Sequence, residues 1–333
     1  MDVNRRGFLK FAAGTGVALV STPLAGHAGM PKELPPEAVG ILYDATLCIG
    51  CKSCMVNCKT YNSMEGGALY TKDAEAPPYE FRTAERIYDA PENLSAKTLN
   101  VIKVHVNGTG AVKDRAEDGY SLVKQHCLHC ISPACVAACP VAALKKDPVN
   151  GVVYYDKDRC MGCRYCQLAC PFGIPKFEWE ETKPEIRKCQ LCRHRIEKGE
   201  YPACCEFCPT GASIFGRVTD LRKEAKRRLT LPEGSRYKYP VQKVDSSFTM
   251  DKKVAAYVDH VYGLNEAGGT QYLLLAGVPL NLLGFNPGIP NAALPDLSWK
   301  YIAKIPAVAG LVIAAGAGSW AITRRNNGSG KGE

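Results

Sequence analysis

Cys127-Leu128-His129-Cys130-Ile131-Ser132-Pro133-Ala134-Cys135-Val136-Ala137-Ala138-Cys139-Pro140 spaces its cysteines by x2, x4 and x3 and closes on a proline. Three further quartets end in the same x3 step. Cys48-x2-Cys51-x2-Cys54-x3-Cys58 precedes it. Cys160-x2-Cys163-x2-Cys166-x3-Cys170, with Pro171, and Cys189-x2-Cys192-x11-Cys204-x3-Cys208, with Pro209, follow it. Only Cys205, among 17 cysteines, stands outside these quartets.

The spacing selects a chemistry. A cubane [4Fe–4S] cluster offers four irons, each needing one soft thiolate. Cysteines three apart let one loop supply three corners. The fourth cysteine, one helical turn further on, starts a helix and points away. In bacterial ferredoxin motifs that fourth cysteine ligates the other cluster of a pair. The proline after it has no N–H and a fixed φ, which suits a sharp exit from the loop. Four quartets therefore predict four [4Fe–4S] clusters in two pairs. Zinc ribbons use two separated C-x2-C pairs, a different pattern. Disulfide scaffolds are short, whereas this chain has 333 residues and is 46% hydrophobic. In the last quartet Cys204 keeps the x3 step to Cys208, so Cys205 reads as a small buried apolar residue.

Both ends carry targeting signals. Asn4-Arg5-Arg6-Gly7-Phe8-Leu9-Lys10 followed by the apolar run Phe11 to Leu24 resembles a Tat export signal covering residues 1–28, with a weak cleavage site at Gly26-His27-Ala28. The Tat route carries folded proteins, so clusters inserted before export would protect the thiols. Ile305 to Thr323 has no charge, with Trp299 and Tyr301 before it and Arg324-Arg325 after it. At about 1.5 Å per residue its nineteen or so residues come close to the roughly 30 Å hydrocarbon core. A transmembrane helix within 300–323 and a cytoplasmic tail 324–333 follow from the positive-inside rule. The cluster region then lies on the periplasmic face of the cytoplasmic membrane. The formal charge of +9 suggests nucleic-acid binding only until the clusters are counted. At about −2 each they contribute about −8, leaving the loaded protein near neutral. No nucleic-acid partner is expected.

Between the ends, a cluster-bearing region spans 40–216, interrupted by an insertion over 59–126 whose polar middle (Pro77, Pro78, Pro91) reads as surface loop. Leu99 to Val106, Tyr120 to Lys124, Gly151 to Tyr155 and Ala212 to Val218 read as strands. Thr219 reads as the cap of a helix over Asp220 to Leu229. From 217 to 299 the Gly/Pro/Asn-rich chain, broken by the apolar run Leu273 to Val278, reads as an extended C-terminal arm that wraps a partner, with a small packed subdomain as the alternative. His126 and His129 flank Cys127, but with every quartet complete they read as neighbours of ligands or surface residues. Lys145, Lys146, Lys188 and Arg193 sit near ligands, where they either raise cluster potentials or form a solvated face.

Residues outside the quartets carry a closer resemblance. Leu42-Tyr43-Asp44-Ala45-Thr46-Leu47-Cys48, Cys139-Pro140-Val141-Ala142-Ala143-Leu144-Lys145-Lys146-Asp147-Pro148, Cys160-Met161-Gly162-Cys163-Arg164-Tyr165-Cys166, and Gly268-Gly269-Thr270-Gln271 through Gly277-Val278-Pro279 are similar to the ferredoxin-type electron-transfer subunit of membrane-bound, hydrogenase-2-type [NiFe] hydrogenases. Iron–sulfur subunits of formate dehydrogenase, nitrate reductase, polysulfide reductase and dimethyl sulfoxide reductase complexes share the quartets. The resemblance implies an α+β fold of two pseudo-symmetric bacterial ferredoxin-like modules, with the first quartet paired to the fourth and the second to the third. Cluster 1 would take Cys48, Cys51, Cys54 and Cys208, and cluster 2 Cys58, Cys189, Cys192 and Cys204. Cluster 3 would take Cys139, Cys160, Cys163 and Cys166, and cluster 4 Cys127, Cys130, Cys135 and Cys170. It further implies no active site of the chain's own. The partners would be hydrogenase large and small subunits and a quinone-reactive integral membrane subunit.

Overall fold

The computed structural model describes residues 33–62, 93–179, 181–182 and 184–328. The export signal read over residues 1–28 and the proline-bearing part of the insertion lie outside the described residues. The strands, in chain order, are β1 (Val39–Asp44), β2 (Asn100–Val106), β3 (Val112–Lys113), β4 (Gly119–His126), β5 (Leu144–Lys146), β6 (Val153–Tyr155), β7 (Lys176–Phe177), β8 (Ile186–Arg187), β9 (Ser213–Arg217), β10 (Arg236–Pro240), β11 (Gln242–Lys243), β12 (Thr249–Lys253) and β13 (Tyr272–Leu275). The helices are α1 (Ser53–Tyr61), α2 (Ala134–Ala137), α3 (Tyr165–Ala169), α4 (Arg193–Ile196), α5 (Ala203–Glu206), α6 (Val218–Thr230), α7 (Leu294–Ile302) and α8 (Ile305–Gly328).

A mixed sheet in the order β11-β9-β1-β13 organises the region 31–294. β1 runs antiparallel to β9 and parallel to β13. Alternation along β1 gives the sheet two working faces. Ile41 and Tyr43 enter the main core, which also contains Cys48, Cys127, Cys204 and Cys205. Leu42 points to the other side, where Ile214, Leu273 and Leu275 meet Leu221 and Ala225 of α6. The buried positions of α6, Val218, Leu221, Ala225 and Arg228, recur at helical spacing and form one stripe. One face of the sheet is thus closed by a helix and the other carries thiols.

The chain after 231 is not an extended arm. The run read as an isolated apolar segment is the edge strand β13, all four residues buried, and β10 and β12 form an antiparallel pair. The physical reason is the unmet backbone of β1. Its Ile41 N–H bonds Gln271 O at 3.0 Å, and four residues of β1 pair with β13 in register. Gly and Pro spacing concealed this, because a parallel edge strand needs no adjacent turn signal. The four strands read from the sequence match β2, β4, β6 and β9 to within two residues, whereas α6 starts at Val218, so Thr219 lies inside the helix and does not cap it.

Within the insertion, β2 pairs along its length with β4, and Val101, Ile102, Leu122 and Val123 join the main core. At the C-terminal end, the helical stretch Leu294–Ala321 is long and apolar enough to cross a membrane and buries none of its apolar window against the rest of the chain. Its apolar side chains, among them Leu311, Val312 and Ile313, are exposed, which is costly in water and suited to lipid.

Candidate metal centres

Two loop designs present the cysteines, each used twice. In the first, a strand ends on aspartate, a 3₁₀ turn follows, and the cysteine loop begins. β1 leads through Asp44 and Ala45–Leu47 to Cys48, and β6 leads through Asp156 and Lys157–Arg159 to Cys160. Each loop then turns on a glycine with positive φ, Gly50 at 71° and Gly162 at 74°, and on a basic residue in the left-handed region, Lys52 and Arg164. α1 and α3 start directly after these residues. In the second design a left-handed residue precedes the second cysteine, His129 at φ 49° and Leu191 at 54°. Pro133 or Pro202 then caps a one-turn helix, α2 or α5, whose second residue is the third cysteine.

This repeat places Cys204 where Cys135 stands and Cys205 where Val136 stands. The N–H of Cys205 bonds Pro202 O at 2.8 Å, as that of Val136 bonds Pro133 O at 3.1 Å. Cys205 is fully buried in the main core. The shared Pro-Ala-Cys of residues 133–135 and 202–204 was the sequence signal for this register.

The thiols fall into neighbourhoods, seen in which charges act on which. Burial pushes the Cys58 thiol well up, and the Cys192, Cys189 and Cys204 thiols add to it. Cys189, Cys192, Cys204 and Cys58 together line one narrow cleft. Cys130 is pushed well up by burial, then by Cys135, Cys170 and Cys127. Burial, followed by Cys139, Cys160 and Cys163, lifts Cys166 to about 11, and these four line a narrow cleft with Leu144, Tyr155 and Ile186. Burial raises Cys48, which also lies within the field of Cys208. Burial raises Cys54 too, with Cys204, Cys48 and Cys208 as thiol neighbours. Cys51 is exposed at the edge of that group.

Electrostatic influence also passes from one neighbourhood to the next. Cys54 feels Cys204, Cys189 feels Cys127, and Cys135 feels Cys166. Taken in order, these influences make a row of the thiol groups assigned above to clusters 1, 2, 4 and 3.

Burial and neighbouring thiols keep these groups protonated until a bound cation replaces the protons. Iron does so, since metal-bound thiols ionise outright. Among the described residues no three His, Cys, Asp or Glu side chains converge as a single ion would require. A cubane instead gives each sulfur its own iron, which suits sulfurs spread around a cleft. Donors are already directed at several sulfurs. The N–H groups of Ala143, Gly162, Leu191 and Ser213 approach the Sγ atoms of Cys139, Cys160, Cys189 and Cys208 at 3.2, 3.4, 3.3 and 3.4 Å, and Asn62 Nδ2 lies 3.4 Å from Cys192 Sγ. Such bonds stabilise thiolate charge and tune cluster potentials.

The histidines are neighbours of ligands rather than surface groups. His126 and His129 are each 1% exposed. His126 Nδ1 lies 2.7 Å from Cys127 O, and His129 Nδ1 accepts the Val153 N–H at 3.0 Å. Burial, aided by nearby lysines, keeps both neutral.

Sequence spacing did not reveal the buried ions. Lys124 is fully buried and donates to Ser213 Oγ at 2.7 Å. Asp44 and Arg228 are both fully buried and pair at 2.9 Å. Asp44 also accepts from Thr46 N at 3.0 Å and Tyr257 OH at 2.7 Å. It thereby fixes the turn that delivers Cys48.

A fold that gathers its thiols in two cores, in loops of ferredoxin spacing, defines a multicluster ferredoxin-type iron–sulfur protein. The comparisons agree. Residues 119–218, which contain the last three quartets, match the 4Fe-4S dicluster domain. The chain is 42% identical over 301 residues to the hydrogenase-2 operon protein HybA of Escherichia coli O157:H7, covering 89% of this chain and 86% of that protein. It is 32% identical over 201 residues to the iron–sulfur subunit of the nitrate-inducible formate dehydrogenase of Escherichia coli K12, covering 60% of this chain and 62% of that subunit. The iron–sulfur subunit of a Haemophilus influenzae formate dehydrogenase is 34% identical over 188 residues, 56% of this chain and 54% of that subunit. The chain belongs to the HybA family of iron–sulfur proteins.

Proposed function

We propose that this chain is the electron-transfer subunit of a membrane-bound hydrogenase, relaying electrons through four [4Fe–4S] clusters to a quinone-reactive membrane subunit, with no active site of its own. The observation that carries the reading is the four cysteine quartets held in two loop designs, each used twice, with thiols of successive groups acting on one another. Cluster 1 takes Cys48, Cys51, Cys54 and Cys208. Cluster 2 takes Cys58, Cys189, Cys192 and Cys204. Cluster 4 takes Cys127, Cys130, Cys135 and Cys170, and cluster 3 takes Cys139, Cys160, Cys163 and Cys166. The twice-used loop designs support two pseudo-symmetric ferredoxin-like modules with exchanged fourth ligands. Bound clusters supply one-electron carriers, and the protein contributes thiolates, N–H donors and dry surroundings.

Both ends of the row have access to partners. Ile49, beside cluster 1, is 57% exposed, and Met161, Leu168 and Trp179, around cluster 3, are 65, 86 and 69% exposed. The helix within 294–321 anchors the chain in the membrane. With the export signal at one end and Arg324-Arg325 after the span, the cluster region sits on the periplasmic face and the tail in the cytoplasm. Hydrogenase large and small subunits are the source of electrons, as the HybA likeness supports. The likeness to formate dehydrogenase subunits supports a second reading, the same relay serving a molybdenum or tungsten enzyme. Metal analysis of the affinity-purified membrane complex separates them. Nickel in the complex supports the hydrogenase, while molybdenum or tungsten without nickel replaces it with the second reading.

A further inference from the structure

Two lysines, the half-buried Lys146 and the buried Lys188, are satisfied by an unusual set of partners. Lys146 Nζ lies 2.9 Å from Cys130 O, 2.7 Å from Gly151 O and 2.9 Å from Gln271 Oε1. The Gln271 amide cannot be reversed, because its Nε2 donates to Val39 O at 2.6 Å and to Asn150 O at 2.9 Å. All three partners of Lys146 are therefore acceptors, and three acceptors need the three N–H bonds of an ammonium. Lys188, 3% exposed, donates to the carbonyls of Val153 and Cys189. Neither lysine meets a carboxylate among the described residues. Lys145, by contrast, pairs with Asp156 at 2.9 Å.

Buried ammonium groups need a negative counterpart. Lys146 meets the second quartet at Cys130 O, and Lys188 stands between that quartet and Cys189, whose carbonyl it bonds. Burial lowers the Lys146 ammonium to about 8, against the pull of the Cys130, Cys127 and Cys135 thiols, and Lys188 acts on Cys135. Around the neighbouring cluster 3, the charge is arranged differently. Arg164 is exposed and stacks on Trp179 at 4.7 Å, where solvent screens it, and Lys145 is neutralised by its aspartate.

We propose that Lys146 and Lys188 are the counter-charges of cluster 4 and make it the higher-potential member of its pair with cluster 3. The inference rests on the ligand sets proposed above. Reduction adds one negative charge to a cluster, and a fixed cation close by stabilises the reduced form. One electron leaves cluster 3 and arrives on cluster 4. No bond is made or broken and no proton is required. Transfer from the exposed end of the row toward its centre is then downhill.

The test is an EPR-monitored potentiometric titration of the full-length chain, purified anaerobically, with iron counted first. Lys146→Met and Lys188→Met each shift the same single component to more negative potential. The expected size is a roughly tenfold lower reduced-to-oxidised ratio at fixed ambient potential, about 59 mV for a one-electron couple. Lys146→Arg keeps the charge and most of the midpoint, and Lys145→Met leaves all components in place. Cys163→Ser, which disturbs cluster 3, does not remove the component that the lysine variants shift. Unchanged midpoints at full iron content, or a shift spread over all components, overturn the proposal while leaving the four-cluster reading intact. Loss of the cluster from both methionine variants overturns it in favour of an assembly role. If only one variant loses the cluster, the other decides. Fewer than four clusters in the unmodified chain contradicts the ligand sets themselves.

Discussion

At the residue scale, adjacent cysteines have opposite assignments. Cys204 heads the place occupied by Cys135 in the repeated loop, whereas Cys205 packs as Val136 does. Cys205→Ala is expected to retain the full iron content, and Cys204→Ala to lose about four iron with cluster 2, measured by metal analysis of the anaerobically purified chain. The choice of Cys204 was readable from spacing alone. The role of Asp44 was not, since its partners come from residues 184 and 213 positions away. Arg228 also bonds Glu224 Oε1 at 2.9 Å, so its removal leaves two acidic groups without their cation inside the protein. Arg228→Met is expected to cost about 3–5 kcal/mol of stability, read from denaturant unfolding of the loaded chain. It should also loosen the turn before Cys48, so that cluster 1 is the first to be lost on dilution into chelator.

At the scale of elements, the loops were more legible than the sheet beneath them. Cysteine spacing and the prolines mark each loop, because a cluster imposes local geometry on a few consecutive residues. Strand β13 and its parallel pairing with β1 depend on residues far apart in the chain, and no short-range pattern records them. Gly40 shows how tight that pairing is. A Cβ there would stand 2.0 Å from Gln271 O, backbone that cannot swing aside. Gly40→Ala therefore has to move β1 away from β13, and a loss of about 1–3 kcal/mol or more is expected. Thermal unfolding followed by circular dichroism measures it. The same displacement reaches Gln271, whose amide links Val39, Asn150 and Lys146. Cluster 4 should therefore report a strand substitution made far from its ligands.

At the scale of the molecule, composition and motif established an iron–sulfur carrier with an apolar C-terminal helix, and the HybA likeness gives it a family. The segment after 231 was the part misjudged from sequence. Its Gly, Pro and Asn content suggested an arm, yet tertiary pairing gives it both edge strands of the central sheet, β11 and β13, and places Thr270 in a bridge with Cys130. This C-terminal segment is a clamp on the cluster loops, which ties cluster binding to the folding of the whole region 31–294. Metal removal is accordingly expected to lower stability globally rather than to free one loop. The thiols left behind would take up protons, Cys135 among them, which burial pushes up to about 12, and the loops would lose the iron that joins them. The central claim is the count of clusters. Iron and acid-labile sulfide, assayed together on the full-length chain purified anaerobically in detergent, measure it directly. The account predicts about 16 of each per chain, four per cluster. Zinc in place of iron, or an iron content near half that value in fully loaded, folded protein, would contradict it.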